Sequence, residues 1–149
     1  MRLPFAAALV LSVAVLGAGC DSDSGTGGPQ YPSMTGNWDG QFSFTVNQLS
    51  ISCPTVLDID SQNEGNWSGD LRFDNSGVCE TVVDEPVNGT VNTASEVTMR
   101  LLASDFLDEC VQVSGSQVLE GQVSGGVLIL EANWNCDGDA EALGFNGTR

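Results

Sequence analysis

Five cysteines and 20 carboxylates are the side chains of this 149-residue chain with the most chemistry to offer. Four of the cysteines form two equally spaced pairs: 25 residues separate Cys53 from Cys79 and 25 separate Cys110 from Cys136. In an exported chain such a set reads as two disulfides, for which three pairings exist. Zinc is the competing reading, but the chain has no histidine and no cysteines a few residues apart. Asn135, Asp137, Asp139 and Glu141 alternate in NCDGDAE, a spacing of oxygen donors that suits calcium. The EF-hand pattern is absent, because Ala140 stands where glycine is needed. A solvated acidic turn between two strands accounts for the same residues.

Catalysis finds few participants. With no histidine and no lysine, no side chain is ready-made as a general acid or base near neutral pH. With four cysteines bridged and Cys20 modified, no thiolate nucleophile remains. A carboxylate pair could cleave a glycoside, yet no two of the acids are set apart by spacing. The expectation is a non-enzyme without a cofactor. The net charge is −16, which repels nucleic acid and excludes it as a partner. The same charge favours cations or a basic protein, or simply keeps the chain soluble.

The cysteine spacing is part of a loose repeat. EGNWSG at Glu64–Gly69 lies midway in the first interval and EGQVSG at Glu120–Gly125 midway in the second. Residues equidistant from a hairpin turn face each other across it. Cys53 is therefore paired with Cys79, and Cys110 with Cys136, each bond stapling the open end of a hairpin. A loop of that size is worth about 3 kcal/mol in the chain-entropy picture.

The remaining cysteine sits in LGAGCDSDSGTGG. Arg2 is followed by an apolar run from Phe5 to Leu16, interrupted only by Ser12, and then by small residues up to Cys20. The run is too short to span a bilayer, which takes about 20 apolar residues; it has the layout of an export signal. Leu16–Cys20 resembles the lipobox of bacterial lipoproteins. The resemblance implies that residues 1–19 are a signal peptide and that Cys20 becomes the first mature residue, carrying lipid on its sulfur and its amine. It implies a protein of the bacterial cell envelope, anchored in a membrane and facing the periplasm or the cell exterior. Each buried lipid methylene adds about 0.8 kcal/mol, and more than one chain is needed for stable anchoring. Residues 20–34, rich in Asp, Ser, Gly and Pro, read as a flexible tether with an r.m.s. span of roughly 20 Å. In such a protein the sequons at Asn66, Asn88 and Asn146 are turn residues.

From Thr35 to Arg149 the texture is uniform and reads as one domain. In WDGQFSFTV, Trp38, Phe42, Phe44 and Val46 share one face; in EVTMRLLA, Val97, Met99 and Leu101 do. Similar stretches fall at Thr55–Asp60, Asn66–Phe73, Glu80–Val83, Val87–Asn92, Val111–Val113, Gln117–Val123, residues 126–134 and Ala142–Thr148. Turn residues separate them at all-β spacing. Pro54 and Pro86 are expected at strand starts or edges, and Ser104–Glu109 is expected to form a single helical turn. The fold class is all-β: an antiparallel up-and-down meander closed into a barrel of 8–10 strands, with a two-sheet β-sandwich as the alternative.

TGNWDGQ at Thr35–Gln41 resembles the Gly-x-Trp opening of the calycins, the lipocalin and avidin group of barrels, and LGFNGTR is similar to their arginine-bearing closing strand. The resemblance implies that Trp38 plugs one barrel end with Arg149 stacked on it. The reading that follows is non-catalytic binding. A roomy barrel holds a small apolar ligand against Phe42, Phe44, Val46, Val97, Met99 and Leu101; with a filled barrel the acidic exterior binds a basic protein or cations.

Overall fold

The computed structural model describes residues 28–46, 49–80, 82–102, 110–112, 118–136 and 139–149. Nine strands appear in chain order: β1 (Gly36–Val46), β2 (Leu49–Asn63), β3 (Asn66–Phe73), β4 (Glu85–Val91), β5 (Glu96–Leu101), β6 (Cys110–Gln112), β7 (Val118–Ser124), β8 (Val127–Cys136) and β9 (Asp139–Thr148). Every pairing is antiparallel. β9 pairs with both β8 and β1, which joins the two edges of the sheet and closes the barrel. A sandwich is thereby set aside.

The wall has eight positions, because β6 and β7 share one. Both run antiparallel to β8 along the same edge: β7 pairs with Val127–Glu131 and β6 with Trp134–Cys136. β7 lies along the first half of β8 and β6 along its last three residues. Sequence periodicity cannot reveal this, since the shared position is defined only by what β8 pairs with.

Alternation sorts the side chains. Trp38, Phe42 and Phe44 on β1, Leu57 and Ile59 on β2, Val97, Met99 and Leu101 on β5, and Leu143 and Phe145 on β9 belong to one continuous buried core. The walls curve where side chains are missing. Asp60 is an extra residue in β2, between the pairs Ile59–Gly69 and Ser61–Ser68. Gly69 sits across this bulge, and a Cβ there would lie 2.0 Å from the Asp58 carbonyl oxygen. The β7–β8 hairpin turns on Gly125 and Gly126, both at positive φ (58° and 80°), as a two-residue turn of this hand requires.

Four expectations change. Glu80–Val83 contributes no strand among its described residues; the chain instead makes a 3-10 turn at Gly77–Cys79 and bends again as Val82 N–H donates to Cys79 C=O. Pro54 lies inside β2 and does not start it. Its ring nitrogen falls on the β3 side just past the end of β3, where the Pro54 carbonyl accepts from Asp74 N–H, so its missing donor is not needed. The two hexamers are not equivalent: Glu64 and Gly65 form the β2–β3 turn, whereas Glu120 and Gly121 lie within β7. One disulfide, Cys53–Cys79, is present among the described side chains rather than two. It ties β2 to the 3-10 turn and staples the open end of the β2–β3 hairpin. The helical turn at Ser104–Glu109, the signal peptide, Cys20 and the tether up to residue 27 lie outside the described residues.

Candidate functional site

The barrel has two unlike ends. Strand direction puts the β2–β3, β4–β5 and β7–β8 turns and both described termini at one end. The other end receives the β1–β2, β3–β4, β5–β6 and β8–β9 connections and the Cys53–Cys79 bond.

The first end is sealed. Residues 28–35 run across it without regular structure, and Met34 is fully buried beneath them. Gln62 clamps this strap: its Oε1 accepts from Met34 N–H at 2.6 Å, and its Nε2 donates to Pro32 C=O at 2.9 Å and Glu64 C=O at 2.8 Å. Trp38 stands inside, with Nε1–H donating to Met34 C=O at 2.8 Å. The Arg149 guanidinium carbon lies 4.7 Å from the Trp38 ring centroid, a cation–π contact, and Nη1 reaches Thr35 C=O at 3.5 Å. Tyr31 packs over Gly65. The Trp38 N–H and both ends of the Gln62 amide are thus partnered within the chain, while the buried Trp67 Nε1 at the same end has no partner.

The second end is different in kind. Leu49, Val78, Val83 and Leu102 stand around it at 64, 74, 73 and 50% exposure. They are four of the six exposed large apolar side chains among the described residues; Val127 and Ile129, on the outside of β8, are the others. Scattered exposed apolar residues need no explanation, but a cluster on one rim does. Below the rim, Glu85 and Trp134 occupy inward positions and are buried, at 9 and 1% exposure. Trp134 is the counterpart of Trp38 at this level of the barrel, standing opposite Gln112 on one side and Glu141 on the other. Its Nε1 has no hydrogen-bond partner.

Five of the six residues expected to line a ligand belong to the buried cluster. Phe42, Phe44, Val97, Met99 and Leu101 are between 0 and 8% exposed and pack against one another's neighbours throughout the cluster; Phe42 also meets Phe73 edge-on at 5.6 Å. The side chain of Val46 lies outside the described residues. Three grooves lined by described residues lie on the outer wall. One, of about 340 Å³, runs past Asn66, Asn88, Thr90, Thr98 and Arg100; the others lie along β7–β8 and along β1–β3.

The candidate calcium run is split by the strand pattern. Asn135 stands opposite Ala140, while Asp139 and Glu141 stand opposite Cys136 and Trp134, at the parity of Leu143 and Phe145. Asp137 lies outside the described residues, as do the side chains of Asp139 and Glu141. Among the described residues no three Cys, Asp or Glu side chains converge on a point. The register sets Cys110 directly opposite Cys136; their side chains are likewise not described. The described arginines are spread over three surroundings: Arg72 pairs with Asp58 at 2.8 Å, Arg149 covers Trp38, and Arg100 lines the polar outer groove.

Sequence reasoning passed over Glu85 and the rim. The signal for Glu85 was present, since it shares the parity of Val87 and Val91 in EPVNGTV. No local signal marks the rim, because its four residues come from three separate connections. Comparison with family models, with curated proteins and with solved structures found no match.

Proposed function

We propose that this chain is a non-catalytic, lipid-anchored binding protein of the bacterial envelope whose open barrel end takes a small apolar ligand. The observation that carries the reading is the contrast between an end crossed by the strap that Gln62 and Trp38 bond to and an end ringed by Leu49, Val78, Val83 and Leu102. Exposed apolar side chains clustered on one rim favour burial under an apolar molecule. The interior positions nearer the seal are packed, so the ligand engages the mouth.

The anchor follows from the lipobox resemblance at Leu16–Cys20, with lipid on Cys20 and residues 20–34 as the tether. The Cys53–Cys79 disulfide fits an oxidising compartment. The chain enters the barrel through the sealed end, so the tether leaves from there and the open end is free to point away from the membrane. Cys110 and Cys136 form the second disulfide, their two thiols giving up two electrons and two protons to a thiol–disulfide oxidoreductase of that compartment. The open end is then framed by a covalent bond on each side.

The test uses the full chain bearing Cys20→Ser, released in soluble form, with N-phenyl-1-naphthylamine as an uncharged fluorescent probe. Saturable binding that weakens at least fivefold in Val78→Asp and Leu102→Asp is expected. Absence of saturable binding, or binding indifferent to both substitutions, overturns the reading. Unchanged mass and membrane association in Cys20→Ser overturn the anchor.

A second reading, capture of a basic protein or of cations by the acidic exterior, draws on the net charge of −16 and on the single ion pair among the described residues. Retention on a basic protein that falls steeply with salt, and survives the two rim substitutions, favours it.

A further inference from the structure

We infer that the ligand of the open end is an uncharged molecule carrying a hydrogen-bond acceptor, such as a ketone or ester oxygen, which is received by the indole N–H of Trp134. This rests on the open-end reading above. An indole N–H can only donate, and a donor removed from water without an acceptor is costly to keep, so nearly all buried donors are matched. Trp38 meets that requirement through Met34 C=O. Trp134 does not: it is 1% exposed and its Nε1 has no partner.

Trp67 has an unmatched N–H too, but its place in the fold is different. It lies opposite Gly89 with its ring filling the space a side chain there would take, beside the β2–β3 turn at the sealed end. Trp134 is the orphan donor at the open end, level with the last pairs of β8 and β9. A molecule that covers the rim with its apolar part and reaches inward with an acceptor matches both features at once.

The acceptor is neutral for two reasons. The chain carries −16, and Glu85 holds a carboxyl group at an inward, buried position at the same end of β4. An anionic head group entering there would give up its hydration inside a strongly acidic molecule, beside a carboxyl group that adds no positive charge.

Benzophenone and diphenylmethane are the probes, because they share a skeleton and differ in a carbonyl against a methylene. Both are used to displace N-phenyl-1-naphthylamine from the Cys20→Ser full chain and from the same chain with Trp134→Phe. A single neutral hydrogen bond shifts an equilibrium by about three- to tenfold. The preference for benzophenone over diphenylmethane should fall by that factor in Trp134→Phe, while diphenylmethane binding changes less than twofold. In the chain that retains Trp134, the indole N–H resonance should move downfield with benzophenone and stay in place with diphenylmethane, a readout that does not depend on the variant folding. An equal loss for both probes, or an unmoved indole resonance when benzophenone is bound, overturns the inference alone. Failure of both probes to bind overturns the open-end reading with it.

Discussion

Trp38 and Trp134 stand at opposite ends of one barrel, both fully enclosed, and they are served differently. Trp38 has a carbonyl on its N–H and a guanidinium on its face, and a strap tied down by Gln62 lies over it. Trp134 has a ring buried to the same degree and a donor with nothing to meet, under a rim of exposed Leu and Val. At the seal the chain itself supplies partners for the Trp38 donor and the Gln62 amide. On the reading proposed above, the other end leaves a donor and an apolar surface to be matched from outside. The covalent bond is also unevenly placed: the described disulfide belongs to the end of the apolar rim and not to the sealed one.

The largest way to break this contrast is to open the sealed end. Trp38→Ala removes a fully buried ring together with the surface on which Arg149 rests, and should cost about 3–5 kcal/mol in chemical denaturation. Replacing Cys53 and Cys79 together by serine should cost about 3 kcal/mol. Amide exchange should then accelerate first in β2 near Cys53 and at residues 77–80, with the sealed end keeping its protection; uniform acceleration would mean that the ends are not independent. Gln62→Ala removes the side chain that bonds Met34 N–H and Pro32 C=O, and should cost about 1–2 kcal/mol. Limited proteolysis should then cut within residues 28–35 while the barrel stays intact. The smallest effect on stability is expected from Val78→Asp and Leu102→Asp, within about 0.5 kcal/mol, since both side chains are more than half or half exposed. The same two substitutions should weaken probe binding most, and that inversion is the sharpest form of the comparison.

Much of the wall was legible residue by residue. The alternation in WDGQFSFTV, EVTMRLLA and GVLILEANW marks β1, β5 and β8 because a strand buried on one face must repeat every two residues. The run Glu80–Val83 shows the limit of that rule. Its valines were assigned to a strand face, but Val83 is exposed and Val82 only packs against the core margin, because the chain there is bent by the turn that brings Cys79 to Cys53. The single wall position shared by β6 and β7 was hidden for a related reason, as each segment alternates correctly on its own account. The candidate site was less legible still. Leu49, Val78, Val83 and Leu102 have no periodic relation, and Phe42, Phe44, Val97, Met99 and Leu101 look alike whether they line a cavity or fill it.

By itself the sequence determined that the chain is all-β, acidic and without histidine or lysine, that its cysteines fall in two matched intervals, and that its Gly-x-Trp opening and its terminal arginine lie at the two ends of one domain. Those are matters of residue type and local period, which act through neighbours a few positions away. Closure of β9 onto both β1 and β8, the sealing of one end, and the gathering of an apolar rim above an unmatched indole at the other were decided only by the tertiary structure. Each depends on contacts between residues far apart in the chain, where the shape of the whole barrel determines which side chains meet.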